Sequence, residues 1–279
     1  MVPGKSSKRN PWATVLWLGV LVLIWEIGAT LVARSKRTPE NVLPHLWQIL
    51  GSVFDNKLVN GRQTAIEIVL TNAGITLWRA GLGFLIGAAA GFLLALLMHR
   101  FRLVERIAFP YLMIIQMIPI LGMAPIVLAI TKDIDKSRVV IAAILTFYPV
   151  ATNTLAGFQA VPREKHELMH VIAATRLEVY KKLLIPSCIP WLFTGLKVSA
   201  PMAITASILV DTLQGGGGLG TMLSQSLKHA MSIYVFWQIV FLSAIVGILS
   251  YHLMSLIEKL AAPHRWARRV KLDERPQLP

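Results

Sequence analysis

Four ionisable side chains, Glu26, Arg79, Lys197 and Asp211, interrupt otherwise apolar runs. A charge in that setting is costly and marks a solute path, a proton relay or an ion pair. Lys197 and Asp211 are fourteen residues apart, about 21 Å along a helix, so they cannot pair with each other on one helix. Arg79 and Lys197 lie within a turn or two of the ends of their runs and can snorkel to the interface. Glu26 can pair with another span, and Asp211 stands where it can cap or gate a path. Catalytic groups are scarcer. His252 and Ser255 share the end of the last apolar run, but no third group orients them as base and nucleophile. An intramembrane protease or lipid-modifying transferase is therefore the weaker rival. Gly215-Gly-Gly-Gly-Leu-Gly220 lacks the Lys-Ser/Thr pair of a phosphate-binding loop and reads as a flexible turn. The methionines and histidines are not read as metal ligands. The single cysteine, Cys188, excludes an intrachain disulfide or a cysteine-built metal site. These residues point to passage of a solute rather than to bond chemistry.

The elements that must position them are spans. Hydrophobic residues make up 55% of the 279 and charged residues 15%, with mean hydropathy +0.60, whereas soluble domains carry about a quarter charged residues. The apolar excess comes in blocks near the ~20 residues that cross a bilayer: Trp12–Ala33, Ile75–Met98, Ile107–Ile130, Val139–Gly157, Trp191–Leu213 and Ile233–Ile257. The net charge of +14 lies in the gaps between blocks. Cations so placed are juxtamembrane residues and form no basic face for nucleic acid. The expected protein is all-α with about six spans. A tail at 1–11 leads into a first span at 12–33. An amphipathic interfacial segment follows at 34–70, with Leu43, Leu46, Leu50 and Val53 at helical spacing. A core at 71–260 and a basic tail at 261–279 complete the chain. With the N-terminus inside, the inner segments hold 17 Lys and Arg against 9 in the outer ones, so the positive-inside rule puts both termini in the cytoplasm.

Within this frame Gly83, Gly87 and Gly91 recur every four residues, a spacing that lets helix backbones approach closely; packing on the third span is expected, with a dimer interface as the alternative. Pro110, Pro119 and Pro125 kink that third span. Pro119 and Pro125, with Gln116 and Asp211, are the candidate lining of a translocation path, because carbonyls freed by proline are tolerated beside a water-filled cavity. The inner loop 162–189 has no Gly or Pro between Glu164 and Leu184. Its Leu168, Val171, Ile172, Thr175 and Val179 recur at steps of three and four. That spacing predicts a short amphipathic helix needing a partner surface, either the chain's own spans or another protein. Pro186 and Pro190 then punctuate the entry to the next span.

Glu167-Leu-Met, Ala173 six residues after the Glu, and Lys182-Leu-Leu-Ile-Pro186 resemble the cytoplasmic signature of binding-protein-dependent ABC importer permeases. Leu43-Pro-His-Leu-Trp-Gln-Ile-Leu50, Arg79-Ala-Gly-Leu-Gly-Phe-Leu-Ile-Gly87, Ile118-Pro-Ile-Leu-Gly-Met-Ala-Pro125, Gly195-Leu-Lys197, Asp211 and Gly217-Gly-Leu-Gly220 resemble the nitrate, sulfonate, taurine and bicarbonate branch. The signature's Gly is replaced by Ala173, which puts a sharp turn there in doubt and leaves a continuous helix possible. The resemblance implies a type I importer permease in a bacterial-type inner membrane, working as a homodimer. A separate cytoplasmic ATPase pair would consume ATP and magnesium, and an extracytoplasmic binding protein would deliver solute. The chain itself would bind no cofactor and catalyse nothing. Glu167, Leu168, Val171, Ile172, Ala173, Thr175 and Pro186 would form the ATPase-coupling helix, with Glu167 as its polar start. Small anions are the first expected solutes and small heterocyclic vitamin precursors the second. A stand-alone ion-coupled carrier is a further rival, against which the signature argues.

Overall fold

A computed structural model of the chain describes residues 11–36, 42–55, 63–228 and 233–261. The expected tails lie almost wholly outside the described residues. The helices are α1 (Pro11–Ser35), α2 (Leu46–Val53), α3 (Ala65–Arg100), α4 (Arg102–Met117), α5 (Ile120–Thr131), α6 (Ile134–Gln159), α7 (Arg163–Val171), α8 (Arg176–Val179), α9 (Ile185–Gln214), α10 (Leu219–Leu227) and α11 (Ile233–Ala261). A π-helical turn, Tyr180–Leu184, joins α8 to α9. Among the described residues five helices are long and apolar enough to cross a membrane, and α4 with α5 makes a sixth, bent candidate. The chain divides into two compact units, Met1–Leu70 with Gln225–Ile239, and Thr71–Ser224 with Val240–Pro279.

In the first unit α1 is apolar all round, and Trp17, Leu21, Ile24 and Leu31 stand exposed, as expected of a helix facing lipid. Its one carboxylate is used locally. Glu26 accepts from His45 Nδ1 at 2.6 Å and from the Leu46 amide at 2.9 Å. It thereby satisfies a free N–H at the start of α2, which a helix N-terminus leaves open. Gly28 receives Leu43 closely, and Trp25 Nε1 donates to the Pro44 carbonyl. The amphipathic segment is thus pinned to the first span, with Ile49 buried and Trp47 and Leu50 exposed.

In the second unit α6 and α9 pack along one another. Gly157 abuts Trp191, and Gly195 abuts the backbone of Pro149 and Val150. Gly83, Gly87 and Gly91 correct an expectation. They face α6 and not the third span, and a Cβ on any of them would run into Val139, Ala143 or Phe147 backbone oxygens. The third span is also corrected, from one kinked helix to two. Pro119 begins α5 and Ile118 before it is extended (φ −72°, ψ 126°), because proline disfavours the helical region for its predecessor. Pro110 and Pro125 stay inside helices. The two halves are bent by 112°, a broken span or a re-entrant pair. Gln159 Nε2 at the end of α6 donates to Glu105 at the start of α4 (2.8 Å), whereas α5 ends where α6 begins.

One end of this unit carries a core of Ala95, Met98, Leu112, Ala151, Leu155, Phe158, Leu184 and Cys188. It fixes the π turn and the base of α9 against α3, α4 and α6. The loop containing α7 therefore emerges from a packed base.

Candidate functional site

Two assemblies occupy opposite ends of the second unit. At the end where α9 finishes, Gly215, Gly216, Gly217 and Gly218 all have positive φ, a conformation in which L side chains are strained. Gly218 has a second reason to be glycine, since a Cβ there would collide with the Asp211 carboxylate. Around this turn four charged side chains meet. Asp211 and Arg138, both fully buried, pair through Oδ1 and Nε at 2.6 Å. Arg79 reaches Asp135 at 2.7 Å and Asp211 at 3.7 Å, and Arg138 also holds Asp135 at 3.0 Å. Thr76 Oγ1 donates to Asp211 Oδ2 (2.8 Å) and accepts from the Leu219 amide (2.9 Å). Arg138 donates to the Gly215 carbonyl and Arg79 to that of Gly217, while the Gly218 amide donates to Asn72 Oδ1. Two arginines against two aspartates leave the cluster neutral, with α3, α6, α9 and the glycine turn tied together.

Its depth follows from helix geometry. Arg79 is 21 residues from Arg100, and Arg138 is 21 from Gln159, about 31 Å on a helix. One hydrocarbon thickness is about 30 Å. The cluster therefore sits at one membrane boundary, and the α7 loop at the other. Asp211, expected on a translocation path, is fully buried, its Oδ2 accepting from Thr76 and its Oδ1 ion-paired with Arg138. Just outside the span, Asp133 caps α6 by accepting from the Lys136 and Asp135 amides, and the Lys136 amide first among its causes holds that carboxyl below its usual range. Lys197, expected to snorkel, is held instead by Glu258 of α11.

At the other end α7 and its C-cap carry Leu168, Val171 and Ile172 with 61%, 82% and 61% of their surface exposed. The expected helix from Glu167 to about Val179 is corrected: α7 stops at Val171. Ala173 takes a left-handed φ of 51°, its amide donates to the His170 carbonyl, and the Ala174 amide donates to that of Met169. These are the paired bonds of a Schellman stop, formed with alanine where glycine is usual. Thr175 is corrected too. It accepts from the Glu178 amide and opens α8 as an N-cap, with Glu178 accepting in return; it stays exposed, beyond the end of α7. Glu167 lies past the first turn of α7, which Pro162 caps, and accepts from Arg163 Nε at 3.0 Å. Pro186 follows the π-helical turn, at the head of α9. Because the left-handed region costs an L-residue roughly 1–2 kcal/mol, Ala173→Gly is expected to slow amide exchange at Ile172–Ala174 and leave transport intact. A β-branched Ala173→Val is expected to fray the end of α7 in the same measurement.

Of the remaining candidates, Gln116, Pro119 and Pro125 are exposed on α4 and α5. Arg138 and Asp135 were not among the candidates.

The described residues thus form a helical membrane unit with a locked turn at one boundary and an exposed apolar face on α7 at the other. Residues 64–263 match the family described as binding-protein-dependent transport system inner membrane component, and the chain belongs to that family. It is a membrane-spanning permease of the type I ABC importer class, a transport subunit. It is 28% identical over 261 residues to the formylaminopyrimidine transport permease protein ThiX of Halalkalibacterium halodurans, covering 94% of this chain and 98% of that one. To the nitrate import permease protein NrtB of a Synechocystis species it is 24% identical over 247 residues, covering 88% and 87%. Its fold matches a chain of the inward-facing MetNI methionine ABC transporter with TM-score 0.61 at 17% identity, covering 71% of this chain and 98% of that chain.

Proposed function

We propose that two copies of this chain enclose a solute path. A cytoplasmic ATPase pair, hydrolysing ATP with magnesium, docks on α7, and a binding protein delivers solute at the glycine end. The carrying observation is the exposed Leu168, Val171 and Ile172 on a helix whose base is fixed in the core. Both termini are cytoplasmic in this reading, and the chain lies in a bacterial-type inner membrane.

For the solute, a small heterocycle akin to a vitamin precursor is the reading we favour. An anion crossing a low-dielectric path needs a counter-charge, and Arg79, Arg138 and Lys197 are each already matched to a carboxylate. The second reading, a small anion of the nitrate or sulfonate kind, is supported by the likeness to NrtB. Proteoliposomes holding the permease, its ATPase and its binding protein decide between them. ATP-driven accumulation of labelled formylaminopyrimidine, not competed by nitrate, is expected. Accumulation of nitrate or taurine instead selects the anion, and concentrative uptake by the permease alone would overturn the whole scheme in favour of an ion-coupled carrier.

A further inference from the structure

The run His166-Glu167-Leu168-Met169-His170 sets two imidazoles four residues apart on α7. Residues four apart on a helix are neighbours, with Cβ atoms about 5–6 Å apart, so both rings can reach one cation. The same pattern opens zinc metalloprotease sites, where the glutamate serves as base. Here Glu167 is engaged by Arg163, and no three His, Cys, Asp or Glu among the described residues converge on a metal position. Catalytic zinc has three protein ligands, so hydrolysis does not follow.

A bidentate surface site does. His166 and His170 line one open recess of about 400 Å³ together with Arg163, Glu167 and Val171. Among the described residues no hydrogen bond or ion pair engages either imidazole, so their nitrogens are available as ligands. Neutral imidazole is the commonest protein ligand for metals and selects zinc, copper or nickel over magnesium.

We propose that His166 and His170 form a two-histidine site for a zinc-class divalent cation, its other positions filled by water. Occupied, the site sets a double positive charge beside Val171 on the face proposed to meet the ATPase, and so weakens coupling. That consequence rests on the docking reading, whereas the site itself does not.

Calorimetric titration of the purified, tag-free permease with zinc chloride tests the site. One cation per chain is expected, unaffected by magnesium and retained in His252→Ala. His166→Ala and His170→Ala should each weaken it by at least the roughly tenfold that loss of even a supporting group costs. No binding, or an unchanged affinity in the double variant, would overturn the site. In the full importer zinc should lower ATP-driven uptake for wild type and not for the double variant. Zinc bound at the pair without any effect on uptake would overturn the coupling consequence alone.

Discussion

Replacing Asp211 with alanine is expected to cost the fold about 3–5 kcal/mol, the usual penalty for removing one partner of a buried ion pair. The variant would leave Arg138 with no exposed surface and no adjacent buried carboxylate. Asp135 alone would remain to it, with its side chain 63% exposed. Thr76 would lose its acceptor, and the bonds that hold the glycine turn through Thr76 and Arg138 would loosen together. The measurement is the thermal midpoint and yield of folded chain in detergent, compared with Arg138→Met/Asp211→Leu. Replacing both partners by apolar groups of similar size removes the uncompensated charge, so the double variant should recover most of the loss. Gly218→Ala should resemble Asp211→Ala, because its Cβ collides with the same carboxylate. If Asp211→Ala melts as wild type does, the cluster is not what ties α3, α6 and α9 together.

A lock at one boundary and a free helix at the other divide the work of the molecule. At the glycine end, displacing one helix alone would break charge-assisted bonds to two others. At the α7 end the base of α9 is packed, with Val161, Val179 and Tyr180 resting on the same core, while Leu168, Val171 and Ile172 stand exposed. On the proposed docking, a partner acting there would move a short stiff helix against a fixed base, and such rigid-body shifts are how bistable assemblies transmit a local event.

The spans were legible because the bilayer demands about twenty apolar residues whatever their order. The break at Ile118 and Pro119 was only half legible. Pro119 announced a disturbance, but three prolines in one run gave no local means of telling which would end the helix. The ion cluster was not legible at all. Arg138 lies 73 residues from Asp211, and its position at the start of an apolar run made it look like a juxtamembrane cation. Only the packing of α6 on α9 brings the two together. Other signals were present and misread. Thr175-Arg-Leu-Glu178 carries the Thr-x-x-Glu pattern of a capping box, which outweighs its place on an apolar stripe. At Ala173 the doubt about a turn came from the side chain. The stop is made by backbone bonds from residues 173 and 174 to 170 and 169, and alanine bears the strain.

Val171→Asp and Ile172→Asp should each abolish ATP-driven uptake while leaving the permease inserted and folded. Both side chains are largely exposed in the isolated chain, so an aspartate there costs the fold almost nothing. In a docked complex the same carboxylate would be desolvated without a partner, which costs several kcal/mol unless paired. Truncating a central interface contact typically costs 2–4 kcal/mol, so ATPase affinity should fall roughly thirtyfold or more, at about 1.4 kcal/mol per tenfold. The readouts are co-purification of the ATPase and substrate-stimulated ATP hydrolysis. Thr175→Ala separates docking from helix architecture: it removes a cap and should loosen α8, measurable by amide exchange, with a smaller effect on affinity. Replacing the buried Cys188 with serine gives a thiol-free background. A cysteine at 171 or 172 in that background should cross-link to the ATPase, and one at Thr221, beside the glycine turn, should not. Uptake that survives aspartate at both positions, with no cross-link from either, would mean that the apolar face of α7 serves some contact other than the ATPase.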